Sequence, residues 1–168
     1  MKIRDRIIEL RRVPAIELLP NPKNWRTHPQ AQQDAMRGIL AEVGIAGAVL
    51  ARETPAGLML IDGHLRTDVD PTAVWPVLVL DVTEAEADKL LATFDPLSAM
   101  AEADAVKLDA LLREVETGSE ALSEMLAALA EEVGIIPPDF QPVGADEQGR
   151  LDEKAKVTCP ECQHEFTP

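Results

Sequence analysis

A chain of 168 residues with 46% hydrophobic content has room for one domain of ordinary size plus appendages, and enough apolar material to exclude wholesale disorder. Aromatics make up only 3% and tyrosine is absent, so Leu, Ile, Val and Ala are expected to carry the core. The formal net charge of −14 is uneven: residues 1–66 hold 10 Lys/Arg against 7 Asp/Glu, whereas residues 67–168 hold 6 against 23.

An acidic surface repels phosphate backbones at long range. Any contact with nucleotide or nucleic acid should therefore come from the first 66 residues, and the acidic half reads either as a solvated helical surface or as a docking face for a basic partner. No apolar run approaches the ~18 residues that span a bilayer. The charges of both signs in Met1–Arg6 do not make a signal peptide. Two cysteines near the C-terminus give no disulfide framework, so the expected compartment is the reducing cytosol, with no membrane partner.

In chain order, residues 1–12 read as a basic, weakly helical arm. Val13–Leu19 reads as a first short strand, ended by the loop-forming cluster Pro20-Asn21-Pro22-Lys23-Asn24. Pro29 suits a helix's first turn; Ala31, Ala35, Ile39, Leu40 and Val43 follow at helical spacing, and Gly44 supplies a stop. Ala48–Arg52 and Leu58–Asp62 form a strand pair through Pro55-Ala56-Gly57. Val77-Leu78-Val79-Leu80 is apolar without alternation, which suits a strand covered on both faces, and Pro76 is expected to confine its start to an edge or entry position. Thr83 and Glu86 make a capping box that opens a helix ending at Asp95-Pro96. Two amphipathic helices follow, one carrying Val106, Leu111, Leu112 and Val115, the other starting near Ser119 and stopping at Gly134. Residues 135–156 read as a flexible linker and residues 157–168 as a small tail.

The chemistry concentrates in Ile61-Asp62-Gly63-His64-Leu65-Arg66, which follows a strand in the basic part of the chain. Gly63 permits close approach of a ligand or backbone, and Arg66 offers a planar fork for phosphate oxygens. Asp62 can hold a metal ion bridging phosphates, and His64 can donate to phosphate or carry a proton. Taken alone, the same residues also fit an ordinary Asp-Gly turn, a structural histidine, and an arginine paired with the acidic half.

The order of these pieces resembles the N-terminal domain family of ParB, whose fold is shared with sulfiredoxin and small nucleotide-dependent kinases. The matching stretches are Ile16-x-x-Leu19-x-x-Pro22-x-Asn24-x-Arg26-x-His28, the helix ending at Gly44, the strand Ala48-Val49-Leu50-Ala51, the Gly63-His64-Leu65-Arg66 loop, the strand Trp75–Leu80, and the helix ending Leu91-Ala92-Thr93-Phe94-Asp95-Pro96. That last helix is similar to one in ParB-like domains of phage and DNA-methylase neighbourhoods. The resemblance implies an α+β fold over residues 13–96, a small mixed sheet with flanking helices, followed by an acidic helical extension over residues 97–134.

It also implies a pocket for the phosphates of CTP or ATP with Mg²⁺. Gly63, His64 and Arg66 would be phosphate contacts, with Asn24, Arg26 and His28 lining the same cleft. The sequence departs from the family in places. Only residues 67–73, with Pro71 among them, separate Arg66 from the next strand, so the partition proteins' helix is expected to be missing or a single turn. No helix-turn-helix is visible, and His64 stands where sulfiredoxin needs cysteine. Partition-site reading and sulfiredoxin activity are accordingly not expected.

In the tail, Cys159-Pro160-Glu161-Cys162 resembles one knuckle of a zinc ribbon, with His164 as a third candidate ligand. A closed site needs four ligands, which a second copy in a homodimer would supply; two free thiols are the alternative. Function therefore divides three ways. The first is a nucleotide-binding protein in phage or mobile-element DNA metabolism or partition-like processes, contacting DNA or a DNA-modifying protein. The second is a phosphotransferase or nuclease with Asp62, His64 and Glu17 as candidate bases. The third is an acidic adaptor.

Overall fold

The computed structural model describes residues 2–135 and two short strands near the C-terminus. A four-stranded sheet is built from β1 (Ile7–Pro14), β2 (Val49–Thr54), β3 (Gly57–Asp62) and β4 (Val74–Leu80), in the order β1-β4-β2-β3. β1 pairs antiparallel with β4, β4 parallel with β2, and β2 antiparallel with β3. Around it lie α1 (Gln30–Glu42), the short α2 (His64–Val69) and α3 (Glu84–Ala99), followed by α4 (Ala105–Glu114) and α5 (Glu120–Val133).

Side chains two apart along a strand share a face, and the sheet uses both faces. Val49, Ala51, Leu58, Leu60, Trp75, Val77 and Val79 are buried on one side with Val13, Leu18 and the half-buried Leu40 of α1. Ile61, Leu80 and Ala87 meet on the other, with Leu50, Leu78 and Leu90 packed against them. That is why the run Val77–Leu80 lacks alternation. The core is aliphatic except at its middle, where Trp75 is 1% exposed and its indole N–H has no hydrogen-bond partner.

Several sequence expectations need correction. The N-terminal arm is a strand from Ile7 onward: Leu10 pairs with Leu78 and Val13 with Trp75. Only Val13 in it is buried, and a register shift interrupts the pairing between Ile7 and Glu9, so no period-2 pattern survives to be read. The strand expected over Val13–Leu19 ends at Pro14 and gives way to a 3-10 turn, Ala15–Glu17; Leu19 then makes an isolated parallel bridge to Met59 on the edge strand β3. Of the two places expected for Pro76, an edge or a strand entry, the edge is the one set aside: Pro76 sits near the start of the central strand β4, opposite Arg12 of β1 and one residue before pairing with β2 begins at Val77. The missing N–H thus falls where β4 is not yet bonded on both sides.

The helix expected to stop at Asp95-Pro96 runs on to Ala99, with the Met100 N–H bonded to the Pro96 carbonyl. Pro96 withholds its own N–H, yet the turn that follows it closes normally. The capping box at Thr83 and Glu86 is present, and Arg6 adds a two-pronged ion pair to Glu86 at 2.8 and 3.0 Å. Ser119 caps α5, and Glu42 at the end of α1 accepts from Thr117, Gly118 and Ser119. α5 packs on α1, so residues 97–134 include a helix that belongs to the same compact unit, Met1–Ile135.

In the second unit, Val157–Thr158 pairs antiparallel with Glu165–Phe166. Residues 136–156 of the linker and the candidate ligands Cys159, Cys162 and His164 lie outside the described residues. Among the described residues no helix is long and apolar enough to cross a membrane.

Candidate functional site

At the carboxyl end of β3 the chain turns through Gly63 at φ 101° and enters α2. His64, Leu65 and Arg66 are therefore the first turn of a six-residue helix rather than an extended loop. The helix is short because Pro71 and the start of β4 follow at once. Gly63 is demanded by packing as well as by φ: a Cβ there would lie 2.4 Å from Cγ1 of Val49, a residue with no exposed surface. What approaches this glycine is the first residue of β2.

That turn forms one wall of a cleft of about 390 Å³. Residues 24–28 form a second wall, α1 a third through Gln32 and Met36, and α3 a fourth through Leu90, Leu91, Phe94 and Asp95. All six residues proposed to contact phosphate (Asn24, Arg26, His28, Gly63, His64 and Arg66) line this one cleft, and Asp62 joins them. Residues separated by some 40 positions are brought together because the segment after Leu19 is tied along β3. The Asn21 side-chain amide donates to the Leu60 carbonyl, the Leu19 N–H to the Leu58 carbonyl, and the Leu60 N–H to the Leu19 carbonyl.

Glu17 is the exception among the candidates. It sits exposed in the 3-10 turn and does not line the cleft. A general-base role for it there has no geometric support.

The two arginines are already partnered. Arg66 donates through Nη1 to the Ala48 carbonyl at 3.0 Å and through Nη2 to Asp62 at 2.6 Å, with its side chain 27% exposed. Arg26 has its Nε 2.6 Å from Asp95 Oδ2, but off the N–H direction; we read the contact as an ion pair, with the Nε hydrogen unbonded. Two guanidinium groups thus face two carboxylates, and these four charges balance within the cleft. Each pair is partly open to solvent, where such contacts hold weakly and exchange readily.

His64 is buried, and its Nε2 accepts from the Asn21 backbone N–H at 3.2 Å. In the neutral ring the proton is then on Nδ1. Burial pushes its pKa below the usual histidine value, against the opposing pull of Asp68 and Asp62. His64 consequently serves as a strut between α2 and the Asn21 turn, and its Nε2 is not free to take a substrate proton. His28, at the opposite rim, has Nδ1 3.0 Å from Gln32 Oε1.

Residues without a signal in the reading of motifs also shape the cleft. Lys23 bridges to Glu84 and Asp88 at 2.8 and 2.7 Å, fastening the loop to α3. Trp25 is 58% exposed at the cleft and donates through its indole N–H to the Leu91 carbonyl. A tryptophan in a polar loop of a chain with only two was the available clue. Asp95, by contrast, becomes a site residue only through the docking of α3.

Fold and site together define a small α+β domain with a four-stranded mixed sheet and a cleft at the end of an edge strand, where two arginines meet two carboxylates. Among solved structures, the C-terminally truncated chromosome-partitioning protein ParB from Caulobacter crescentus complexed with CTP-gamma-S is similar, with a TM-score of 0.52, 15% identity, and coverage of 75% of this chain and 71% of that one. The same partitioning protein complexed to the centromeric parS site gives a TM-score of 0.44 at 15% identity, covering 74% and 68%. The first alignment establishes that the chain has a ParB-like fold. No protein-family model matches the sequence, and neither does any curated protein.

Proposed function

We propose that the chain binds a nucleoside triphosphate, CTP or ATP, in the cleft at Gly63–Arg66 and works as a nucleotide-dependent binding protein in DNA metabolism of the phage, mobile-element or partition-like kind. The observation that carries this is convergence: Asn24, Arg26 and His28 from one loop face Gly63, His64 and Arg66 from another across a single cleft. Occupation by CTP-gamma-S in a protein of the same fold supports the choice of ligand.

On binding, phosphate oxygens would take over the guanidinium groups now held by Asp62 and Asp95. Released Asp62 could then meet a magnesium ion carried in by the phosphates. Mg²⁺ characteristically keeps waters and takes only one or two protein carboxylates. Asp62, which lines the cleft beside Gly63, is the carboxylate that would supply such a contact.

Binding without turnover is favoured over phosphotransfer or nuclease chemistry. Of the three candidate bases, His64 has its Nε2 committed to Asn21 and Glu17 lies elsewhere, and Asp62, once released from Arg66, is the carboxylate assigned to the magnesium ion. DNA contact, if direct, falls to the basic first 66 residues, and the acidic helices are left for protein partners. Isothermal titration of CTP and ATP with Mg²⁺ into the protein tests the proposal. Saturable heat that Arg66→Ala abolishes is the expected result, and no heat with either nucleotide removes it.

A further inference from the structure

We infer that Trp25 is the platform on which the base of the bound nucleotide stacks, an inference that rests on the nucleotide reading above. Large aromatic side chains in this protein are few, two Trp and three Phe, and one of the two tryptophans fills the centre of the core. The other is left 58% exposed at the cleft that holds both arginines. Exposing an indole forgoes the burial that stabilises folding, so its position calls for a use outside the core.

The ring is held in orientation from two sides. Its N–H donates to the Leu91 carbonyl at 3.4 Å, and the Arg26 guanidinium carbon lies 4.9 Å from the ring centroid. An aromatic face held this way binds a base without a large ordering cost. Arg26 also links the two halves of the ligand, because one guanidinium lies against the ring and lines the phosphate cleft. Stacking is sequence-tolerant, since every base has a π-face. Trp25 would therefore strengthen binding of nucleotides as a class, with discrimination between bases left to polar contacts.

The test separates base from phosphate. Affinities of CTP, ATP and inorganic tripolyphosphate, each with Mg²⁺, are measured for the parent, Trp25→Ala and Trp25→Phe. Stacking contributions to a base correspond to ~5- to 150-fold in affinity. Trp25→Ala should lose that factor for both nucleotides and keep its affinity for tripolyphosphate, and Trp25→Phe should recover most of the loss. Tryptophan emission gives a second readout: nucleotide should quench the parent and leave Trp25→Phe, which retains only Trp75, unchanged.

Equal losses for nucleotides and tripolyphosphate would make Trp25 a fastening of the loop and overturn the inference. So would an unchanged nucleotide affinity in Trp25→Ala. If tripolyphosphate and nucleotides all fail to bind the parent, the nucleotide reading itself falls, an outcome distinct from both.

Discussion

Replacing Gly63 by alanine probes the turn on which the cleft depends. Two costs add at this position. A residue with a Cβ pays about 1–2 kcal/mol for left-handed backbone, and φ here is 101°. The new methyl group would also start 2.4 Å from Val49 Cγ1 and 2.8 Å from its Cβ, an overpacking that typically costs about 1–3 kcal/mol. Together they predict a loss of about 2–5 kcal/mol, or a Tm lower by roughly 4–20 °C for a chain of this size. Gly44 is the internal control, because its φ is 86° but nothing lies within 4 Å of its Cβ position, so Gly44→Ala should pay the backbone cost alone. Urea denaturation of both variants, and of Gly63→Ala combined with Val49→Ala, separates the terms. The double variant should be less destabilised than the sum of the singles, since removing Val49 Cγ1 relieves the shorter of the two contacts. Equal losses for Gly63→Ala and Gly44→Ala, with additive behaviour at Val49, would refute the packing argument.

Other outcomes follow from the same contacts. His64 has a folded pKa below its unfolded value, so the unfolded chain takes up the proton first as pH falls; stability should be full above about pH 6.5 and decline from there toward the folded pKa. His64→Gln, which keeps an acceptor for the Asn21 N–H and loses the titration, should flatten that part of a denaturation-versus-pH curve. Glu86 is lowered from 4.5 to about 2, chiefly by Arg6 and then by the Thr83 bonds. Its stabilising contribution should be complete above pH 4.5 and vanish as pH falls through about 2, and Glu86→Gln should reduce stability at neutral pH while narrowing the acid dependence. Arg66→Lys should weaken nucleotide binding nearly as much as Arg66→Ala, because an ammonium cannot hold the Ala48 carbonyl and phosphate oxygens together as the fork does; calorimetry that finds the lysine variant equal to the parent would contradict this.

Much of the fold could be read where periodicity and turn chemistry agree. The β2–β3 hairpin, α1 from Pro29 to Gly44 and the Thr83–Glu86 box each carry a strong local signal, and each is present. The failures are places where a long-range partner decides. β1 is held by β4, some 65 residues away, and shows solvent most of its length, so its own pattern is uninformative. Pro76 allowed either an edge or a strand entry, and only the start of β2's pairing at Val77 decides between them.

The site divides the same way. Clustering of Asn24, Arg26 and His28 with Gly63 and Arg66 was legible from the order of motifs. The carboxylate partners of the arginines were not, because Asp95 reaches Arg26 only through the docking of α3. Nor was the role of His64, whose chemistry is set by burial and by one backbone N–H from Asn21.

The most direct measurement is a crystal structure of the protein grown with Mg²⁺ and a non-hydrolysable analogue of CTP or ATP. Phosphate density bonded to Arg66 and beside the Gly63 turn, with Asp62 drawn off its guanidinium, is the predicted result. A fully loaded ligand bound away from this cleft, or Arg66 still locked to Asp62 and Ala48 with the nucleotide absent at saturating concentration, would contradict it.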